Sequence, residues 1–455
     1  MKYPAYKDYK YSGVDWIGEI PFSWEMWKIN HFSHYIGSGT TPDTGVDGNY
    51  GGDTLWVTTG ELRENVITDT QKKVSSLALL KYSSLRLHPA GAVAIAMYGA
   101  TIGRLGILGV DATTNQACCV FPPSKIMHSK YLFYWLLGVR KEIINLASGG
   151  GQPNINQEKL SSLRVSAPKY YEQTQIATFL NRETAKIDRL IEKQQRLIKL
   201  LEEKRQAVIS HAVTKGLNPD VPMKDSGIEW LGDVPDHWDL WKIAHACEYI
   251  ASGTTPKTDS DKYYNGDILW VTTGELRESV ITKTKKNVTK QALVDMPTLR
   301  LHPAGSIAIA MYGATIGRLG ILGTSATTNQ ACCVMPPSKV LHNKFLFYWL
   351  LAMKREIINL SSGGGQPNVN QEKIASLKVS APGYEEQTQV ASFLDSEIAK
   401  FDKLRIKAKR MIDLLNERRT ALISAAVTGK IDVRHPASHP SGEHSSSKSS
   451  IHADL

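Results

Sequence analysis

The sixteen residues AIAMYGATIGRLGILG at positions 94–109 return without a change at 308–323. The run LWVTTGELRE at 55–64 returns at 269–278, and SGGGQPN at 148–154 returns at 362–368. Trp16, Pro21 and Trp24 come back as Trp230, Pro235 and Trp238. Every match keeps an offset of 214 residues, so the 455-residue chain is a duplication without insertion or deletion. Two copies do not make a solenoid, which stacks three or more short units. Each copy is long enough to enclose its own core.

Within each copy a globular part precedes a helical part. The globular parts, 1–168 and 218–382, alternate short apolar runs with turn signals. Residues 92–97, 104–108 and 118–121 read as buried strands, and 130–146 reads as a helix. Such a mixture predicts an α/β domain. From 172 to about 210 there is neither Pro nor Gly. Apolar residues at Ile176, Leu180, Ile187, Leu190, Leu197, Leu201 and Val208 suggest a heptad seam. Val390, Leu394, Phe401, Leu404, Met411, Leu415 and Leu422 occupy the equivalent positions. A helix with one apolar stripe must bury it, and the nearest partner is its own repeat. The expected pairing residues are Ile187, Leu190, Leu197 and Leu201 with Phe401, Leu404, Met411 and Leu415. Antiparallel pairing would relate the globular parts by a pseudo-two-fold axis and space them by a rod of roughly 58 Å. The expected segments are 1–168, a helical spacer 169–217, 218–382, a second spacer 383–430, and a disordered Ser- and His-rich tail 431–455.

Composition narrows the chemistry. The formal charge of +10 and pI near 9.1 permit a polyanionic partner without requiring one. No apolar run is long enough for a membrane span, and the N-terminus lacks the apolar stretch of a secretory signal. The pairs Cys118–Cys119 and Cys332–Cys333 are poor metal clamps, because neighbours on a strand point to opposite faces. Reduced, partly buried thiols in a cytoplasmic protein are the simpler reading. There is no P-loop, HExxH, GxSxG or EF-hand pattern, and Phe121-Pro-Pro-Ser124 lacks the Asn and aromatic of an amino-methyltransferase motif. His88 and His302 precede prolines and read as turn residues. No catalytic residue and no metal ligand is expected.

Several polar clusters do suit DNA. Thr58, Thr59, Glu61 and Arg63 follow a strand. Tyr98, Thr101 and Arg104 flank glycines that would allow close approach to a groove. Thr113, Thr114, Asn115 and Gln116 carry groups of the kind that read base edges, and Gln152, Asn154 and Asn156 form an amide cluster. The second copy supplies Thr272, Thr273, Glu275, Arg277, Tyr312, Thr315, Arg318, Asn329, Gln330 and Gln366. The competing reading of each is turn chemistry or helix capping, with Asn154 and Asn156 inclined that way.

Taken together, these stretches resemble the specificity (S) subunits of type I restriction-modification systems. DSGIEWLGDVPDHW at 225–238, and the looser SGVDWIGEIPFSW at 12–24, are similar to the opening of that family's recognition domain. SGTTP at 252–256, GATIG at 99–103 and Asn329-Gln330 look like its interior. EQTQI at 172–176 and EQTQV at 386–390 resemble its helix entry, and AVTGKIDVR at 426–434 its ending. The resemblance implies two target-recognition domains separated by long helices that pair as an antiparallel coiled coil. It implies a non-catalytic DNA-reading subunit for a bipartite target, docked by two modification subunits and by restriction subunits. Those partners would carry S-adenosylmethionine, ATP and Mg. Because the two copies are near-twins, the target should be an interrupted palindrome. The alternative is a non-DNA coiled-coil scaffold whose twin domains bind two copies of a protein or small ligand. An enzyme with two active sites ranks behind both.

Overall fold

Short β-branched runs bounded by glycine and proline build the sheets of each globular part. The computed structural model describes residues 3–147, 154–257, 262–361 and 368–434. Gln152, Gln366 and residues 435–455 lie outside the described residues; 431–434, expected as part of the disordered tail, instead pack on the first globular part, where Val433 is buried and Asp432 N–H donates to Pro4 O at 2.7 Å. A five-stranded sheet in the first copy has the order Gly37–Ser38, Cys118–Phe121, Val93–Ala96, Leu105–Leu108, Val66–Ile67. Neighbours are antiparallel except the last pair, which is parallel. A three-stranded sheet places Tyr50–Val57 between Ala112–Thr114, parallel, and Lys73–Val74, antiparallel. The second copy repeats both sheets, with central strands Ile307–Ala310 and Tyr264–Val271.

The strands expected at 92–97, 104–108 and 118–121 are present as Val93–Ala96, Leu105–Leu108 and Cys118–Phe121. The helix expected over 130–146 is two helices, Ser129–Gly138 and Arg140–Asn145. Val139, at φ −109° and ψ 17°, breaks it. The second long helix presses on this corner: a Cβ at Gly138 would lie 2.9 Å from Val427. Apolar periodicity alone cannot report a break imposed by packing from almost 300 residues away.

Alternation along Cys118–Phe121 sends the two cysteines to different cores. Cys118 packs with Leu55, Val57 and Ala94, while Cys119 joins Trp24, Trp135 and Leu180. Both are fully buried rather than partly so, and burial pushes both thiols well above their ordinary range. They act as small core hydrophobes.

The long helices run Tyr170–Lys215 and Tyr384–Val427. The chain divides into two compact units that cut across linear order. One takes Met1–Lys193 with Met411–Leu455, and the other takes Gln194–Arg410. Each unit therefore holds one globular part and half of each helix. In the first unit Arg419 Nε donates to Asp188 Oδ1 at 2.9 Å, and Arg434 Nη1 lies 3.9 Å from Glu172. Position falls on one helix as it rises on the other, so the halves run antiparallel. In the second unit Gly216, just past the first helix, lies near Glu386 at the start of the second, and Arg205 shares a cavity with Asp402. That is the same antiparallel sense.

The buried stripe is not the one read from the apolar residues. Leu190 and Leu197 are 45% and 42% exposed, and Leu404 and Met411 are 48% and 46% exposed. The residues withdrawn from solvent are Ile187, Ile191, Gln194, Ile198, Leu201, Arg205, Val208 and Ala212. Their counterparts are Phe401, Arg405, Ala408, Ile412, Leu415, Arg419, Leu422 and Ala426. Steps of four and three alternate along both, the spacing that holds a seam on one face. Reading by hydrophobicity skipped Gln194, Arg205, Arg405 and Arg419 and took the adjacent leucine row. Ile187, Leu201, Phe401 and Leu415 belong to the observed stripe.

Truncation should separate the two rows. Ile187→Ala and Leu415→Ala are each expected to cost about 2–4 kcal/mol, and Leu190→Ala and Leu197→Ala less than about 1 kcal/mol. Chemical denaturation of the four variants measures this. Equal losses in both rows would place the seam elsewhere.

Candidate nucleic-acid interface

The polar clusters converge because two parallel strands end side by side. In the first unit Ala112–Thr114 pairs in register with Leu55, Trp56 and Val57, and Asn115 N–H donates to Val57 O at 2.9 Å. The turn at Thr58–Glu61 and the turn at Asn115–Gln116 are thereby neighbours. Met97 N–H donates to Ala117 O at 2.8 Å, which brings the Tyr98–Thr101 loop to the same edge. Glu64 N–H donates to Leu105 O at 2.8 Å, which adds Arg63 and Arg104. A backbone bridge between Tyr98 and Asn154 completes the rim. The second unit repeats each tie: Asn329 to Val271 at 2.9 Å, Met311 to Ala331 at 2.8 Å, Glu278 to Leu319 at 2.8 Å, and Tyr312 bridged to Asn368.

Glycine makes this edge possible. A Cβ on Gly39 would lie 1.7 Å from the Thr114 carbonyl oxygen, and one on Gly253 would lie 1.8 Å from that of Thr328. Only a residue without a side chain fits so close to the neighbouring backbone. Seated there, the SGTTP turn lets the Thr41 hydroxyl donate to Gln116 Oε1 at 2.6 Å. Thr255 makes the same bond to Gln330. Neither threonine stood out in the sequence, although both lie in a repeated motif.

The rim separates builders from groups left facing outward. Glu61 accepts from the backbone N–H and the hydroxyl of Thr58, and Glu275 does the same for Thr272. These acids shape their own turn. Asn115 Oδ1 accepts from Ala117 N–H at 3.2 Å, another turn bond. Thr113 and Thr114 are fully buried, with the Thr113 hydroxyl donating to Leu55 O at 2.9 Å, so neither can reach a base. Thr59 and Thr273 are half-buried. Asn156 caps the helix Gln157–Ser161 by accepting from Lys159 N–H, and Asn154 is exposed.

Arg63 and Arg277 are exposed, each with only Nε turned back to a glycine carbonyl, at 3.0 and 3.2 Å. Tyr98, Tyr312, Gln116, Gln330 and Arg318 are exposed, and Arg104 is half-buried. Thr101 and Thr315 are half-buried and donate to the tyrosine carbonyls at 3.1 and 3.2 Å. Arg104 and Arg318 form no ion pair among the described residues. An edge carrying arginine, amide and phenol groups offers the donors and acceptors that nucleic acids take.

His88 and His302 sit away from the rim. His88 is fully buried, bridges Ala112 through its backbone and has Nδ1 3.1 Å from the Tyr35 hydroxyl. Burial first, and Arg86 second, lower its pKa from the ordinary 6.5 to about 4. His302 matches it, with Arg300 in place of Arg86. Both stay neutral in the fold where an unfolded chain would take up a proton. Their stabilising contribution is complete above about pH 6.5 and is lost as pH falls towards 4. The expected slope is about 1.4 kcal/mol per pH unit for each histidine, flat below that window. The pH dependence of unfolding for wild type and His88→Gln measures it. Superimposable slopes would show that His88 titrates normally.

Comparison with known proteins agrees with this geometry. The family described as the type I restriction modification DNA specificity domain matches residues 21–201 and again 235–410, one match for each copy of the rim. The chain is 24% identical over 436 residues to the type I restriction enzyme MjaVIII specificity subunit of Methanocaldococcus jannaschii, covering 91% of this chain and 95% of that protein. It is 23% identical over 354 residues to the type I restriction enzyme EcoBI specificity subunit of Escherichia coli, covering 73% of each. The fold is shared with a chain from a solved type I R-M system assembly, at TM-score 0.67 and 13% identity, covering 90% of this chain and 98% of that one. The HsdS subunit of Thermoanaerobacter tengcongensis aligns over the same shares at TM-score 0.53 and 13% identity. With well over half of its length matched, once in each copy, the chain belongs to the type I restriction-modification DNA specificity family.

Proposed function

We propose that this chain is the DNA-sequence-specificity subunit of a type I restriction-modification complex, each unit reading one half of a bipartite duplex target. The observation that carries the reading is the rim present twice, with the same residues and backbone ties, and with the bonds of Glu61, Arg63 and Thr101 repeated at Glu275, Arg277 and Thr315. Arg63, Tyr98, Arg104 and Gln116, with Arg277, Tyr312, Arg318 and Gln330, are the groups assigned to DNA. The net charge of +10 supports a phosphate-rich partner. Among the described residues no helix is long and apolar enough to cross a membrane, consistent with work on cytoplasmic DNA.

Catalysis belongs to other subunits in this reading. Two modification subunits, carrying S-adenosylmethionine, dock on the long helices, whose exposed Leu190, Leu197, Leu404 and Met411 offer apolar surface. Restriction subunits add ATP- and Mg-dependent cleavage. Equal rims read equal bases, and rims presented to opposite strands read inverted copies. The antiparallel run of the helix halves inside each unit supports that presentation. The target is therefore an interrupted palindrome.

Single-molecule methylation sequencing of DNA from cells carrying the system tests this. Two inverted copies of one short sequence around a fixed spacer are expected. Unrelated halves, or direct repeats, would overturn the shared readout. Arg104→Ala, assayed with the modification subunits, is expected to act in one of two ways. Loss of a base contact costs about 1–3 kcal/mol and relaxes one position. Loss of a phosphate contact weakens all sequences and lowers the salt slope by about one. Wild-type affinity, specificity and salt slope would remove Arg104 from the interface. DNA binding indifferent to salt would favour a protein- or ligand-binding scaffold instead.

A further inference from the structure

The stretch LWVTTGELRE ends on a residue with an unusual backbone. Among the described residues only three that are not glycine have positive φ: Glu64 at 61°, Asn265 at 62° and Glu278 at 58°. Two of these are the same position in the two copies. A β-carbon in this left-handed region crowds the backbone, which is why glycine or asparagine is usual there. A glutamate kept twice in such a place calls for a reason in its side chain.

The side chain reaches away from the rim towards the long helices. In the first unit Glu64 Oε1 accepts from Arg140 Nη1 at 2.5 Å, and Oε2 lies 3.9 Å from Arg419 Nη1. Arg419 in turn donates through Nε to Asp188 Oδ1 at 2.9 Å. Asp188 stands on the first long helix and Arg419 on the second, at a seam position. The relay is partly shielded, with side-chain exposures of 29% for Glu64 and 20% for Arg419. The backbone N–H of Glu64 is held by Leu105, next to Arg104. One residue therefore ties the rim, the helix Arg140–Asn145 and both long helices together.

The second unit has the equivalent residues but makes only the first of these contacts; Asp402 pairs instead with Arg405 on its own helix. Lys354 Nζ lies 3.0 Å from Glu278 Oε1. Arg205 and Asp402, the repeat counterparts of Arg419 and Asp188, line one cavity with Glu278 and Arg277. Lys354 replaces Arg140, so the strut needs a cation there but not a guanidinium.

We propose that Glu64 is a positioning residue that locks the first rim at a fixed angle on the helix pair and thereby sets which spacer length the subunit accepts, with Glu278 its counterpart beside Arg205 and Asp402 in the second unit. They take no part in reading bases. The inference rests on the rim being the base-reading edge. Adding one base pair to a spacer moves the far half-site by about 3.4 Å and turns it by roughly 35°. A rim that can swing on its helices follows that displacement, whereas a rim held to them by a partly shielded ion pair does not. A polar group at a seam position also pins helix register, so Arg419, paired across the helices with Asp188, joins the two requirements.

The test uses the complex with its modification subunits. Methyl-transfer rates are measured on duplexes with the natural spacer, with spacers one base pair longer and shorter, and with a changed base in one half-site. The Glu64→Gly/Glu278→Gly double variant removes both struts while leaving a residue at ease with positive φ, so the turn is retained. It is expected to lose at least tenfold of the spacer discrimination while base discrimination stays within about twofold of wild type. Arg140→Lys, which copies the second unit, should keep both. Arg419→Met, approaching from the helix side, should relax the spacer as the glutamate variants do. Unchanged spacer discrimination in the double variant, or base discrimination lost in parallel, would overturn the inference. A wild-type complex with no base discrimination on these duplexes would instead overturn the functional reading on which it rests.

Discussion

The structure depends on how each long helix is fastened at its start. Gln173 accepts from His128 N–H at 2.8 Å and donates to the carbonyls of Ile126 at 3.0 Å and Pro168 at 2.9 Å. Gln387 makes the same three bonds, to His342, Val340 and Pro382. The preceding glutamate completes the joint. Glu172 accepts from the Tyr6 hydroxyl at 2.7 Å and from Trp24 Nε1 at 3.1 Å. Glu386 accepts from Trp238 Nε1 at 3.2 Å and pairs with His237. A buried amide with every group satisfied has one acceptable orientation, so the direction in which a helix leaves its globular part is fixed at its first turn.

That direction lets the end of the other helix close the same core. Ile423, Ala426 and Val427 pack with Trp24 and Tyr131 in the first unit, and Ile209, Ala212 and Val213 pack with Trp238 in the second. Tight seating explains the glycines just past both helices. Gly429 and Gly216 have φ of 73° and 77° and lie against Pro21 and Trp238. Neither globular part owns a complete core within its own copy of the repeat. The duplication is thus a packing requirement as well as a doubling of the rim.

Polar residues in the helix seam follow from the same arrangement. Gln194, Arg205, Arg405 and Arg419 interrupt an otherwise apolar stripe. A seam of leucine and isoleucine alone would tolerate sliding by a heptad, and a charge needing a partner does not. Arg419 finds Asp188 and Glu64. Arg405 finds Asp402 on its own helix at 3.0 Å. Stability given up at Arg419 is exchanged for a single register, because its partner Asp188 stands on the other helix.

The duplication, the mixed α/β class, the two long helices and the family were legible in the sequence. Each rests on a local signal or on copying, and neither needs knowledge of what packs against what. That Cys118 and Cys119 point to opposite faces follows from strand alternation, which is also local; that both faces are covered follows from two separate cores. The tertiary structure decided the rest. It chose Ile191 and Ile198 over Leu190 and Leu197 for the seam, and it seated Arg419 there because Asp188 and Glu64 face it. It turned Thr58, Glu61, Asn115 and Thr113 into framework, leaving arginine, tyrosine and glutamine side chains at the edge, because local turn bonds claim the first three and a bond across the parallel strands claims Thr113. It gave Glu64 a role that its place in a repeated motif did not announce. Hydrophobic period and repeat identity are written in neighbouring residues; the partners of Glu64, Trp24 and Arg419 lie 76 or more residues away, and only folding selects them.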